Sequence, residues 1–333
     1  MRVSLCRALL LLCLAGLAPR GEAGQAIALD ERVPVPGAEL YLEIRGADDG
    51  APILLWLHGG PGGAERPLFQ LFNGELERHF VVAYLDQRGA GRSFDPDADP
   101  AELTIARHLS DLDTVVDHLR GRLGRRDVVL VGHSWGSALG LLYAKAHPEK
   151  VAAFVGVAQC TSTSAQQASE LEFVTAEARR RGDEDALATL SGIGAPPFDA
   201  PHQLALEKLT DRFGGLYHRR PSFTWAMLRG VFGGYVTPWE ISRFIRGNDV
   251  SLAAMNSELS HLDLTESVTA VDVPVFFLLG RYDRHVDARL AAAYFEKLGA
   301  PRKRLIWFEH SAHNVPFEEP DAFDAAVVRV LGG

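Results

Sequence analysis

The stretch Gly132-His133-Ser134-Trp135-Gly136 follows an apolar run at 128–131 and opens a segment of small residues. A serine between glycines on a sharp strand-to-helix turn presents its hydroxyl for attack on a carbonyl carbon. The glycines are required because strand and helix pack close there. Five letters alone say little; the rest of the chain must supply the other groups. A serine hydroxyl is a weak nucleophile until a base takes its proton. The base in turn needs a carboxylate to fix its tautomer and stabilise its charge. Downstream, Asp283 stands in Gly280-Arg281-Tyr282-Asp283, and His313 in Glu309-His310-Ser311-Ala312-His313-Asn314-Val315-Pro316. Each lies just past an apolar run, in the order Ser, Asp, His. Asp287 rivals Asp283, but it falls where the next helix begins and reads as a helix cap. His310 rivals His313, and the spacing to the helix entry at 317–320 favours His313. His285 reads as a rim residue.

The oxyanion formed by attack needs donors that stay fixed, and backbone N–H groups serve best. One is expected from Trp135, directly after the serine. The other is expected from Gly60 in the loop His58-Gly59-Gly60-Pro61-Gly62-Gly63, where Pro61 has no N–H to give. Asp86 and Arg88 read as braces between neighbouring loops. Cys160 has no partner at metal-ligand spacing and reads as a small buried residue. No metal and no cofactor are expected.

These groups need elements to carry them. Residues 40–44 alternate apolar and polar, as a half-exposed antiparallel strand does. The runs at 52–58, 80–85, 127–132, 151–158, 273–280 and 304–308 read as strands, the most apolar of them covered on both faces. Helices are expected at 104–119, 135–146 and 321–331. Strands alternating with helices imply a mostly parallel sheet with helices on both faces. Functional loops then gather at the carboxyl ends of the strands. From about 161 to 267 the text turns helical, polar and rich in aromatics. It reads as an inserted helical cap, dividing a core of 35–160 and 268–333.

The chain has 333 residues, 47% of them hydrophobic, and a net charge of −9. That balance suits a large globular core and argues against nucleic acid as a partner. Residues 1–23 have a basic start, a short leucine-rich run and small residues, the layout of a secretory signal peptide cleaved near 23–26. A secreted or periplasmic location follows, with no stable membrane insertion after cleavage. Cys6 and Cys13 leave with the signal, so Cys160 has no intrachain partner. The sequence does not give an oligomeric state.

His58-Gly59-Gly60-Pro61-Gly62, Asp86-Gln87-Arg88-Gly89-Ala90-Gly91-Arg92-Ser93, Gly132-His133-Ser134-Trp135-Gly136 and Gly280-Arg281-Tyr282-Asp283 together resemble the proline iminopeptidase branch of the α/β-hydrolase superfamily. The resemblance implies an α/β-hydrolase fold and a triad of Ser134, Asp283 and His313. It also implies cofactor-independent release of an N-terminal residue, often proline, from short peptides. Members of that branch often have glycine where this chain has His133. They hold the substrate ammonium with cap glutamates in Trp-Glu-Gly and Glu-Asn-His stretches. Trp239-Glu240 and Asn256-Ser257-Glu258 echo these loosely, and a buried ammonium needs a carboxylate, so Glu240 and Glu258 are the expected pair. A carboxylesterase or lactonase with the same triad and an apolar pocket under the aromatic cap is the alternative. A non-catalytic binding protein on the same fold is a third reading. A dehalogenase or epoxide hydrolase would carry an aspartate at position 134.

Overall fold

The computed structural model describes residues 25–218 and 223–332; the expected signal peptide at 1–23 lies outside them. Eight strands form one sheet: β1 (Ile27–Val35), β2 (Ala38–Gly46), β3 (Ile53–Leu57), β4 (Val81–Leu85), β5 (Val128–His133), β6 (Val151–Val157), β7 (Val275–Gly280) and β8 (Lys303–Phe308). Their order is β1-β2-β4-β3-β5-β6-β7-β8. β2 runs antiparallel to β1 and β4, and every other neighbouring pair is parallel.

The continuous apolar runs are strands buried on both faces, as expected of a covered parallel sheet. In β3, Ile53, Leu55 and Leu57 join one apolar cluster, while Leu54 and Trp56 join the other. The first cluster packs under α2 (Ile105–Leu123), α3 (Trp135–Ala146) and α10 (Ala288–Lys297). The second packs under α1 (Arg66–Asn73), α11 (Val315–Glu318) and α12 (Pro320–Leu331). Burial of this kind contributes roughly 25 cal/mol per Å² of apolar area.

Two strands depart from the sequence reading. β1 alternates exposed and half-buried positions at the sheet edge, and it lies ahead of the expected start of the core. β2 is covered rather than half-exposed. Its polar positions Tyr41 and Glu43 are buried because Arg66 pairs with Glu43 (2.7 Å) and lies over the Tyr41 ring (5.1 Å).

Between β6 and β7 the chain leaves the sheet for α4 (Thr163–Arg181), α5 (Glu184–Ile193), α6 (Ala200–Arg212), α7 (Phe223–Phe232), α8 (Pro238–Ser260) and α9 (Leu264–Ser267). α4, α5 and α6 close a small apolar cluster of their own around Val174, Leu190, Leu206 and Phe213. α8 crosses the sheet's functional edge. Its Asn248 Nδ2 donates to Pro61 O at 3.0 Å. A Cβ on Gly62 would collide with Gly247 O, so the helix and the loop touch backbone to backbone. Among the described residues, no helix is long and apolar enough to cross a membrane.

Candidate active site

Ser134 follows directly on β5 with φ 52° and ψ −120°. A non-glycine residue pays of the order of 1–3 kcal/mol for such a backbone. The turn around it is over-determined. Ser134 N–H donates to Val157 O at 3.0 Å. A Cβ on Gly132 would collide with Gly136 O, and one on Gly136 with Leu57 O. Both flanking glycines are therefore required by close packing, and the turn aims the serine out of the sheet.

Asp283 lies beyond β7 and His313 beyond β8. The Nδ1–H of His313 donates to Asp283 Oδ2 at 3.0 Å. Asp283 Oδ1 accepts the N–H groups of His285 (3.0 Å) and Val286 (3.2 Å). Three donors thus fix a fully buried carboxylate and, with it, the tautomer of the imidazole. His313 N–H donates to Leu216 O at 3.1 Å, so a cap loop also holds the histidine's backbone. Burial depresses the His313 pKa and Asp283 opposes it; with His285 and His133 adding to the depression, the imidazole lies below its ordinary range.

Gly60, Ser134, Trp135 and His313 line one cavity of about 420 Å³ between the sheet and the cap. Gln87 braces both segments that carry the expected oxyanion donors. Its side chain donates to His58 O (2.8 Å) and accepts from Trp135 Nε1 (3.0 Å), and its N–H donates to His58 Nε2 (3.0 Å). Arg88 forks onto Asp111 at 2.7 and 2.8 Å, and Asp86 accepts Arg92 N–H at 2.8 Å. Both act as braces.

The rivals separate cleanly. Asp287 caps α10, accepting Arg289 N–H at 3.0 Å. His310 is exposed, with its N–H on Glu319 Oε2 at 3.1 Å. His285, expected at the rim, lies beside the base instead. Its ring meets that of His313 at 4.9 Å and 89°, because its N–H is tied to Asp283. Cys160 lines the cavity, and burial pushes its thiol up to about 12, which keeps it inert.

Neither expected ammonium-binding glutamate reaches the cavity. Glu240 completes the capping box of α8 with Thr237. It also pairs with Arg66 (2.8 Å) and Arg92 (3.0 Å), so its charge is already matched. Glu258 is exposed and accepts Ile105 N–H at 2.7 Å, capping α2. Neighbouring Asn256 does face the cavity, together with Asn248 and Leu252 on the same stripe of α8.

The acidic groups in the cavity are Glu65, Glu170, Glu207 and Asp211. Glu65 accepts from His133 Nδ1 at 2.8 Å and from Gly59 N–H at 3.2 Å. Glu170 accepts from His285 Nδ1 (2.9 Å), Thr210 Oγ1 (2.8 Å) and Gln203 Nε2 (3.1 Å). Glu207 and Asp211 stand one turn apart on α6. Among the described residues no hydrogen bond or ion pair holds the carboxylate of Glu207. Burial raises its pKa, and the nearby His285 only partly offsets that. Burial raises Asp211 as well. The recurrence of Gln203, Glu207 and Asp211 at four-residue spacing was the available signal for a polar inner face on α6. The cap aromatics divide: Trp225, Phe232, Tyr235 and Trp239 are exposed, Phe232 at 87%, while Tyr217 and Phe244 line the cavity with Leu204 and Leu252 and with the polar Gln166, Gln203, Asn248 and Asn256. Among the described residues, no group of three or more His, Cys, Asp or Glu side chains is arranged to hold a metal ion.

The chain matches the family described as alpha/beta hydrolase fold over residues 52–320, and it belongs to that family. A Bacillus subtilis (strain 168) protein named "Probable aminopeptidase YbaC" is 29% identical over 302 residues, 90% of this chain and 95% of that one. The proline iminopeptidase of Saccharolobus solfataricus is 24% identical over 303 residues, 86% of this chain and 87% of that one. The crystal structure of a proline iminopeptidase from Mycobacterium smegmatis superposes with a TM-score of 0.68 at 19% identity, over 91% of this chain and 98% of that one; this last likeness is one of fold. The resemblance to the proline iminopeptidase branch read from the motifs is borne out by these relatives.

Proposed function

We propose that this hydrolase is a secreted or periplasmic serine aminopeptidase of the proline iminopeptidase type, releasing N-terminal residues from short peptides. The observation that carries the reading is Glu207, a half-buried carboxylate without a hydrogen-bonding or ion-pairing partner among the described residues, in the cavity that Ser134 lines. A free α-ammonium supplies the missing counter-charge, and an uncharged ester does not. The full-length similarity to an aminopeptidase supports the same class.

In this reading Ser134 Oγ attacks the carbonyl carbon of the first residue while His313 takes the hydroxyl proton. Asp283 holds the resulting imidazolium. The N–H groups of Gly60 and Trp135 stabilise the oxyanion. The C–N bond breaks, His313 passes its proton to the leaving amine, and water, activated by the same histidine, releases the acyl group. Glu207 fixes the ammonium, which sets the reacting carbonyl at the first residue of the chain. The deciding experiment compares prolyl and alanyl arylamides with their N-acetylated forms and with nitrophenyl esters. Free-amine arylamides should be cleaved and N-acetylated ones refused. Equal turnover of both arylamide forms would overturn the aminopeptidase assignment, and turnover of the nitrophenyl esters alone would favour an esterase.

A further inference from the structure

His313 is flanked by two other histidines, each paired with a glutamate. The His133 ring lies 5.0 Å away at 47°, and the His285 ring 4.9 Å away at 89°. His133 contacts Glu65 Oε1 through Nδ1 (2.8 Å) and the carbonyl oxygen of His313 through Nε2 (3.1 Å). An ionised carboxylate and a carbonyl only accept, so both ring nitrogens must carry protons and the ring is an imidazolium. His285 contacts Glu170 Oε1 through Nδ1 at 2.9 Å. In each pair the ring is the member that meets His313.

We infer that the Glu65–His133 and Glu170–His285 pairs are positioning residues that hold His313 free of its proton between turnovers, so that the enzyme stays active below neutral pH. Two cations at about 5 Å make a third positive charge on His313 costly. Burial, the largest cause, acts with the two cations, while Asp283 works the other way and stabilises the charge that the reaction creates. The directions agree. Burial opposes charge on His133 and His285, but Glu65 raises the first, and Glu170, with smaller help from Glu207 and Asp283, lifts the second to about 10. Other charged or titratable groups surround the three rings, among them Lys208 and Asp211 in the cavity lining. Glu318 of α11 accepts Ala312 N–H at 2.8 Å. Glu207 and Tyr217 line the cavity from the cap. Behind His133, His58 sits between Gly59 O (2.8 Å) and Gln87 N–H (3.0 Å), which makes it neutral. Glu65 has a second task, because its other oxygen holds Gly59 N–H (3.2 Å) beside the oxyanion loop.

The inference rests on the triad and not on the substrate, so its test uses a fluorophosphonate, whose rate of reaction reports the free base. In the wild-type protein that rate should rise with a midpoint below the ordinary histidine value of about 6.5. The neutral pairs Glu65→Gln/His133→Gln and Glu170→Gln/His285→Gln keep shape and remove charge. Each should move the midpoint upward by roughly one pH unit. A midpoint unmoved in both, whatever the loss of maximum rate, would show a merely structural role and overturn the proposal. Imidazole ¹⁵N shifts of the wild-type protein give an independent reading that needs no variant. At pH 7 His133 and His285 should be charged and His313 neutral; either flanking ring found neutral also overturns it. A wild type that never reacts with the probe defeats the triad itself, which separates that failure from this one.

Discussion

Arg66 Nη2 lies 2.8 Å from Glu240 Oε1, across 174 residues of chain. The contact joins the start of α1 to the start of α8, and with Glu43 (2.7 Å) and Asp86 (3.5 Å) it surrounds one buried guanidinium with carboxylates. Glu240 is thus a structural anion. Glu240→Gln should lower stability by about 3 kcal/mol, the scale for removing one partner of a buried ion pair. It should leave KM for arylamides unchanged. Chemical denaturation and steady-state kinetics on the same sample test this, and a rise in KM without loss of stability would return Glu240 to the substrate site.

Ser134→Ala should abolish fluorophosphonate labelling and lower kcat by at least about 10,000-fold, since the serine and its base act as a unit. Asp283→Asn should cost a similar factor, because the amide no longer fixes the His313 tautomer. Asp287→Asn should change kcat little and destabilise α10 instead. If the two aspartates exchange these outcomes, the assignment of the orienting acid is wrong.

Glu207→Gln should raise KM for free-amine substrates by about 10- to 100-fold, the scale of a charge-assisted hydrogen bond, and spare an N-acetylated ester. Burial holds the Glu207 carboxyl above its ordinary pKa, and only the ionised form neutralises an ammonium. KM of the wild type should therefore rise as pH falls through that raised value. The variant should lose this rise. A pH profile of KM that is the same in both proteins would remove Glu207 from substrate binding.

Asp324 lies under Asn73, which donates to its Oδ1 at 3.0 Å. Burial dominates over that hydrogen bond and pushes the carboxyl up to about 7 from its ordinary value of 3.8. The unfolded chain loses the proton first. Between those two values the native state binds more protons than the unfolded state, so this residue's contribution to stability falls as pH rises. Asp324→Asn keeps an acceptor for Asn73 and removes the titration. Its unfolding temperature should exceed that of the wild type at pH 8 and approach it at pH 4. Parallel curves for the two proteins would refute this.

The sheet was legible because its signals are local. Apolar runs such as Ile53–Leu57 are buried on both faces and need no partner to be recognised. β1 was missed because an exposed edge strand carries charges such as Asp30, Glu31 and Arg32 at alternating depth, which reads as loop. The triad was legible because each member sits at a strand end in a fixed order. The ammonium site was not. Glu240 matches a motif locally but lies in the first turn of α8, beyond the cavity and over Arg66. Glu258 lies about 200° around the helix from Asn256. Gln166, Gln167 and Glu170 are polar and buried, so hydrophobic periodicity could not mark the inner face of α4. The role of His285 depends on a ring from another strand end, which no local pattern encodes.

The backbone contact between Gly62 and Gly247 divides the cap into parts of unequal freedom. α8 rests on the loop that carries Gly60, with Asn248 bonded to Pro61 O, so tilting that helix would deform the oxyanion loop. α4, α5 and α6 close on a separate apolar cluster and bring Glu207 and Asp211 to the cavity, while Glu170 of α4 holds His285. For anyone redesigning specificity, α4–α6 form the exchangeable cassette, provided that Glu170 is kept. α8 belongs to the chassis, and any replacement for it must bring a glycine of its own to position 247, where a Cβ would collide with Gly89 O.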